Sequence, residues 1–531
     1  MATHSKWYPS NEEEVVPYNA TYSFPAQANK SVKIVPRIAP KNGATFLPGN
    51  TIRIEFPAQG YMNPLNSTLN FDVSLMGYGT AGTAIVRFQN NIQSIFTRAR
   101  LLYGSTVIED IINYNVIVRA LTEWTATNQM SSIDQTSIAE GIGGVFTGVG
   151  GTGLGGATTV GANLVNVRQA YIQGIDGTAT VGFGNVPNVS GAVGATTSLP
   201  VRRYQINLAF GLFTQDKLIP LKWMASQLAI ELTLAAEASC IYANIKPGAG
   251  TAGSGTTPTY QVTNVNFIPE ILEFDSSYDA GFLSGLQNGG VPIKFCTWNT
   301  FISSISGQTN TNILIQERSR SVKAIFAVQR RAPEVLWADS HALQFCTDSG
   351  GTTLQTYQFR IGGRYFPASP VQCATSIGSS VTNGGAEAFL ELQKSLNVVG
   401  DYRLETSVNC LRWAIPYKSY TLDGTNGISI GETDFQQFPT VYTAGNLAGY
   451  PTTGVVAPFA GTMGSSCFAM SVDLETSNGI EVSGLNAEEQ SDIALVCNYN
   501  AAQATGYNME VYTFVDRMMI LRENNVIELI F

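Results

Sequence analysis

The chain has 531 residues, of which 44% are hydrophobic and only 13% are Asp, Glu, Lys or Arg, with a formal net charge of −9. That length exceeds what one hydrophobic core supports, so at least two domains are expected. The acidic balance, with a pI near 5.0, excludes bulk binding of nucleic acid through positive charge, and so low a charged fraction suits a surface covered by neighbours.

Residues 1–50 carry six prolines (Pro9, Pro17, Pro25, Pro36, Pro40, Pro48) and no long periodic segment. They read as an extended arm with one edge strand at Val32–Pro36, a place where proline is tolerated. An acidic cluster, Glu12–Glu14, precedes the bases Lys30, Lys33, Arg37 and Lys41; these suit either contact with a phosphate-rich interior or a solvated tail. The N-terminal sequence has no apolar stretch of the signal-peptide kind, and no run reaches the ~18–20 apolar residues of a membrane span.

From Thr51 polar and apolar residues alternate, over Thr51–Phe56 and again over Leu69–Leu75, the mark of strands with one face in a core. Ile85–Phe88, Ser94–Tyr103 and Val107-Ile108 continue the pattern, with Gly104-Ser105 as a turn. The apolar positions then shift to Ile111, Ile112, Val116, Val118 and Leu121, which predicts a helix over Glu109–Trp124 with Glu109 and Asp110 at its positive end. A long insert follows to about Leu199, and about a quarter of residues 141–200 are glycine. Tyr204–Phe213, Leu218–Leu221 and Leu228–Leu234 return to β structure, and Lys246–Pro258 (KPGAGTAGSGTTP) has the composition of a flexible linker.

The same order then repeats. Strands are expected over Tyr260–Phe274, Ile293–Ile302, Ile313–Gln316, Val322–Val328 and Thr356–Ile361, a helix over Gly385–Asn397, and a second insert to about Ser466. Phe468–Leu474, Ile493–Tyr499, Met509–Leu521 and Val526–Phe531 close the chain. The expected organisation is an arm at 1–50, one sandwich at 51–243 with an insertion at about 125–199, a linker at 244–259, and a second sandwich at 260–531 with an insertion at about 398–466. The fold class is all-β: two tandem antiparallel jelly rolls of about eight strands each, with short helices and long loop insertions.

The chemistry is sparse. His4 and His341 stand apart, the seven cysteines are scattered without a CxxC pair, and there is no HExxH, GxSxG or GxxxxGK[ST]. Gly151, Gly153 and Gly156 match GxGxxG literally, but inside the glycine-rich insert rather than between a strand and a helix. Carboxylate pairs such as Asp275/Asp279 and Glu270/Glu273 would serve a glycosidase only if they faced one cleft. Arg318, Arg320 and Lys323, close to Glu317, read either as an anion or intersubunit patch or as an ordinary solvated strand face. No catalytic, cofactor-binding or metal residue is assigned, and no enzyme activity or small-molecule substrate is expected. A carbohydrate-binding or carbohydrate-active β-sandwich is the alternative; it would need clustered aromatics, whereas Trp124, Trp223, Trp298, Trp337 and Trp413 are dispersed.

Several stretches resemble double jelly-roll major capsid proteins, most closely those of polinton-like viruses and virophages: Gly211–Leu221 running into Leu228–Leu234, Glu317–Phe326, Tyr357–Gly362 with Tyr365-Phe366-Pro367, and Val472–Glu475 with Ser483-Gly484. The resemblance implies two jelly rolls side by side in one chain and three chains in a pseudo-hexagonal capsomer. Such capsomers tile an icosahedral shell around double-stranded DNA. It further implies a virion location after synthesis in the host cytoplasm, penton and minor or cement proteins as partners, and insertions facing outward or clasping neighbours. The N-terminal arm would lie inside, in weak contact with DNA or membrane.

Overall fold

The computed structural model describes residues 31–76, 86–88, 92–125, 201–243, 259–331, 354–398, 421–429, 468–502 and 507–530, with short breaks inside the last four of these spans. The strands of the first half are β1 (Ser31–Ile34), β2 (Thr45–Phe46), β3 (Thr51–Glu55), β4 (Tyr61–Met76), β5 (Phe96–Tyr103), β6 (Thr106–Ile112), β7 (Arg202–Ile206), β8 (Leu228–Leu234) and β9 (Thr259–Phe274). They pair in two sheets, β1-β9-β4-β7 with β2 added to β9, and β3-β8-β5-β6. The second half contributes β10 (Val291–Ser304), β11 (Asn310–Leu314), β12 (Val322–Arg331), β13 (Leu354–Ile361), β14 (Arg364–Gln372), β15 (Met470–Asp473), β16 (Ile493–Tyr499), β17 (Tyr507–Leu521) and β18 (Ile527–Ile530). Its sheets are β10-β17-β12-β15 with β18 on β17, and β11-β16-β13-β14. Strand for strand the two orders are the same, each an antiparallel jelly roll.

Alternation builds both cores. In β3 the pattern Thr51-Ile52-Arg53-Ile54-Glu55 buries the two isoleucines and leaves the polar residues half-exposed. Phe71 on one sheet meets Phe96 on the other edge-on at 5.7 Å, and Phe56 stacks on Phe267 at 4.7 Å. In the second sandwich Cys497 Sγ lies 3.6 Å from Met470 Sδ across the core, and Tyr357 donates to the Ser471 carbonyl at 3.3 Å. Each large apolar side chain removed from water stabilises by roughly 1.5–3 kcal/mol. The β5–β6 and β13–β14 hairpins turn on equivalent glycines, Gly104 and Gly362, both with φ near +55° (57° and 54°).

Four helices matter to the argument: α1 (Tyr114–Thr125), α2 (Gly211–Thr214), α3 (Ser276–Gln287) and α4 (Ala386–Ser395). α1 begins later than the sequence predicts. Glu109 and Asp110 lie in β6, and the break falls at Asn113, whose φ of 54° ends the strand. Its carbonyl then accepts from Val116 and Ile117; asparagine tolerates this left-handed conformation better than other side chains.

Two expected boundaries are corrected. The chain at 244–259 does not separate the sandwiches, because Thr259–Phe274 pairs with Tyr61–Met76 in the centre of the first sheet. Residues 244–258 lie outside the described residues, and the element between the last strand of the first sandwich and the first of the second is α3. The arm at 1–50 is not separate from the first sandwich either: the edge strand expected at Val32–Pro36 is present as Ser31–Ile34, paired with Ile271–Phe274, and Thr45–Phe46 pairs with Val262–Thr263. Tyr204–Phe213 divides into β7 and α2, and β14 and α3 are elements the pattern did not show. Residues 1–30 and most of both insertions lie outside the described residues.

Candidate functional site: the seam between the sandwiches

The first sandwich lies on the second through β6, α1 and α2. The close approach is sharpest at Gly211: a Cβ there would fall 1.6 Å from the Cys296 carbonyl oxygen of β10, so only glycine fits. Glu109, fully buried, accepts from the amides of Gly211 and Leu212 at 2.8 Å each and from the Thr297 hydroxyl of the second sandwich at 2.7 Å. Arg517 on β17 donates to the Ile108 carbonyl at 2.9 Å and to Asn299 Oδ1 at 2.8 Å. Thr300 donates to the Ile112 carbonyl at 2.9 Å. Above these polar links Trp124 of α1 stacks on Phe326 of β12, with centroids 5.3 Å apart and planes 22° from parallel. Phe326 in turn touches Trp298, which packs on Phe514. The buried apolar residues of both sandwiches form one contiguous cluster.

The covered face of the second sandwich can be read from strand parity. Gln329 points inward, accepting from Tyr499 of the opposite sheet, so Ala324, Phe326, Val328 and Arg330 face outward. The register puts Glu510, Tyr512 and Phe514 on that same outer face. Arg330 and Tyr512 both donate to Glu510 there.

Two buried carboxylates in this region respond in opposite directions. Burial raises the pKa of Glu109 above the ordinary carboxylate range, although the Leu212 amide, the Thr297 hydroxyl, the Gly211 amide and the Arg517 charge pull against it. Burial also pushes Glu317 upward, but donors on Thr513, Asn299 and Ser319 outweigh it and hold its carboxyl below the usual range. Burial lowers the pKa of Arg517. The Cys296 thiol is pushed up to about 12, first by burial and then by the Asp516 carboxylate, so it is not a reactive thiol.

The candidate chemical residues are held by structural partners. Asp275 caps α3 by accepting from the Tyr278 amide at 3.1 Å, whereas Asp279 binds Tyr61 and Lys222 at 3.0 and 2.5 Å. Glu270 takes Lys33, Asn63 and Asn66, and Glu273 takes Gln59. Each carboxylate of the two pairs thus has structural partners of its own. Arg320 pairs with Glu488 at 3.0 Å, Lys323 with Glu475 at 3.0 Å, and Arg318 donates to the Gln490 carbonyl at 3.3 Å. Arg320 and Lys323 are thus neutralised by carboxylates of the same chain. Trp124 and Trp298 are buried in the seam, which removes them from any sugar-stacking platform, and Trp223 stands apart from them, its indole N–H donating to Tyr61. Among the described residues no group of three or more His, Cys, Asp or Glu has metal-site geometry, and no helix is long and apolar enough to cross a membrane. His4, His341, Gly151, Gly153, Gly156, Trp337 and Trp413 lie outside the described residues.

Sequence reasoning missed the seam because its parts are far apart: Glu109, Gly211, Thr297 and Arg517 come from four separate elements. The one available signal was the pair of acids Glu109-Asp110 interrupting the apolar run Val107-Ile108 and Ile111-Ile112.

No protein-family description matches the sequence, and no curated protein matches it. Solved structures do. The chain of the PBCV-1 virus capsid, in a quasi-atomic model, superposes with a TM-score of 0.50 at 10% identity, covering 96% of this chain and 99% of that one. The mavirus major capsid protein gives 0.47 at 10% identity over 100% and 95% of the two chains. The Sputnik virophage structure gives 0.48 at 10% identity over 100% and 92%. With the shared strand order of its two halves, the chain has the double jelly-roll fold.

Proposed function

We propose that this chain is the structural subunit of a virus shell, acting by self-assembly and not by catalysis. The observation that carries the reading is the seam. Two sandwiches of one strand order meet head to tail, β6 and α1 of the first on β10 and β12 of the second. A head-to-tail contact between like units leaves a half-seam at each end, and further copies complete it as a closed ring or an open filament. Three chains would close a ring of six sandwiches, the pseudo-hexagonal capsomer. The likeness to the chain of the PBCV-1 virus capsid, matched over 99% of its length, supports the same reading.

In this account capsomers tile an icosahedral shell around double-stranded DNA, and the protein resides in the virion after synthesis in the host cytoplasm. Penton and minor or cement proteins are its other partners, and the basic residues of the N-terminal arm make weak interior contact with DNA or membrane. Low charge density fits such a surface, since interface cores are depleted in charged residues. The test is solution mass by light scattering together with electron microscopy of the purified protein. A particle three times the 57.0 kDa chain with a hexagonal outline is the expected result. A stable monomer at micromolar concentration would refute the reading.

A further inference from the structure

The two sandwiches end equivalent sheets on equivalent edge strands, β3 and β11, and treat them differently. In β3 the even residues bond β8: the Asn50 carbonyl accepts from Leu234 at 2.8 Å, and the Phe56 amide donates to Leu228 at 2.8 Å. Thr51, Arg53 and Glu55 therefore turn their backbone groups to the free edge. The segment before β3 covers that edge. Asn42 donates to the Thr51 carbonyl at 2.5 Å and accepts from the Arg53 amide at 3.0 Å. The Lys41 amide donates to the Arg53 carbonyl at 3.0 Å.

In β11 the odd residues carry the ladder to β16: the Thr309 carbonyl accepts from Tyr499 at 2.9 Å, and the Ile315 amide donates to Ile493 at 2.8 Å. Asn310, Asn312 and Leu314 thus turn their backbone groups outward, and their side chains are exposed. Among the described residues nothing hydrogen-bonds to these three on that side. Free edges are usually guarded by charge, proline or a bulge. β3 carries Arg53 and Glu55, and β14 carries Pro367 and Pro370. Asn310-Thr311-Asn312-Ile313-Leu314 has no charge, no proline and an unbroken register.

We infer that β11 pairs antiparallel with β11 of a second copy about a two-fold axis, Asn312 opposite Asn312 and Asn310 opposite Leu314. The occupant is a second copy because the strand complements itself. That register brings the outward-turned backbone groups together in hydrogen-bonded pairs, and no like charges meet. The two Asn312 carboxamides lie side by side, each able to donate and to accept. The contact is isologous and uses no element of the seam, so it links one ring to the next rather than closing a ring. It rests on the self-assembly reading above, yet the two can fail separately.

The test is position-specific disulfide formation in the full chain. Asn312→Cys should give covalent dimers on oxidation, since hydrogen-bonded antiparallel partners lie about 5.5 Å apart at Cα, within disulfide range. Asn310→Cys alone and Leu314→Cys alone should not cross-link, because each faces the other position, whereas their 1:1 mixture should. Asn312→Pro removes an outward amide and none that bonds β16, so circular dichroism should be unchanged. Losing that amide from both copies should weaken the pairing on the order of 30-fold by light scattering. Should Asn312→Pro unfold, the cysteine series decides alone. Cross-linking at no position, equal cross-linking at all three, or a folded N312P that associates like wild type would overturn the inference. Trimers without these cross-links would leave the shell reading standing. Position-specific dimers of a chain that forms no trimer would support the pairing and overturn that reading.

Discussion

Two equivalent sheets of the molecule carry opposite chemistry on their outer faces. On β10-β17-β12-β15 that face holds Trp298, Phe514 and Phe326, capped by Trp124 from the other sandwich. On β1-β9-β4-β7 the inward residues are Phe71 and Tyr204, stacked at 6.0 Å, so the outer face reads Asn70, Asp72, Arg203 and Gln205. Asp72 accepts from Arg203 at 2.7 and 3.0 Å and from Asn264 at 2.8 Å, and Gln205 donates to Thr68 at 2.9 Å. The fold is the same, so the side chains follow what covers them. A face sealed once, while the chain folds, is aromatic. A face that the rest of the chain leaves open satisfies its own polar groups and stays compatible with water.

This contrast can be broken most severely at Trp124. Trp124→Ala should cost about 3–5 kcal/mol, read as a lower urea midpoint, because it empties the cap over Phe326. Glu510→Gln comes next, since it takes the charge from a buried carboxylate that serves both Arg330 and Tyr512. Leaving that guanidinium without its counter-charge should destabilise by about 3 kcal/mol, measured by the same titration.

Glu109 and Glu317 sharpen the comparison through pH. Glu317 sits below the usual range, so its stabilisation is present above the unfolded glutamate pKa and is lost as pH falls through the folded value. Glu317→Gln should therefore weaken the protein at neutral pH, and the deficit should shrink in acid. Glu109 is raised, so its favourable contribution is present below the unfolded pKa and is lost as pH climbs through the folded value. Relative to wild type, Glu109→Gln should perform better at high pH than at low pH. Urea unfolding at several pH values tests both, and parallel curves for either variant would contradict its assignment.

The smallest effect belongs to the charged sheet of the first sandwich. There Arg53, Glu231, Arg100 and Asp110 lie in one row across four strands. Glu231 joins Arg53 at 2.9 Å to Arg100 at 3.1 Å. The matching row of the second sandwich is Asn312, Val496 and Gln358. Glu231→Gln should change stability by less than about 1 kcal/mol, and added salt should erase the difference.

Much of the fold was legible in the sequence because burial on one face imposes period two, and β3, β8, β9 and β16 declare it plainly. The doubling was legible too, through the helix-and-insert order. The strand β14 was hidden by its exposure: its pattern is almost uniformly exposed and Pro367 and Pro370 interrupt it, so there is no alternation to read. Glu109 was misread because an acid after a strand-like run is also what a helix start looks like; its tertiary partners, not its neighbours in sequence, decide its role. The linker-like composition at 246–258 misled for a related reason. Such composition does not by itself locate a domain boundary, and the pairing of Thr259–Phe274 with β4 puts those residues in the first sandwich.

That pairing has a consequence for biosynthesis. The strand at the centre of the first sheet is the last of its sandwich to be translated, and β17 holds the matching place in the second, followed only by the short β18 that pairs with it. Neither half can shut its core until its final long strand has left the ribosome, so nascent chains expose an open apolar cleft for most of their synthesis. Such intermediates are prone to aggregation, which makes a need for chaperone protection the direct cost of this strand order.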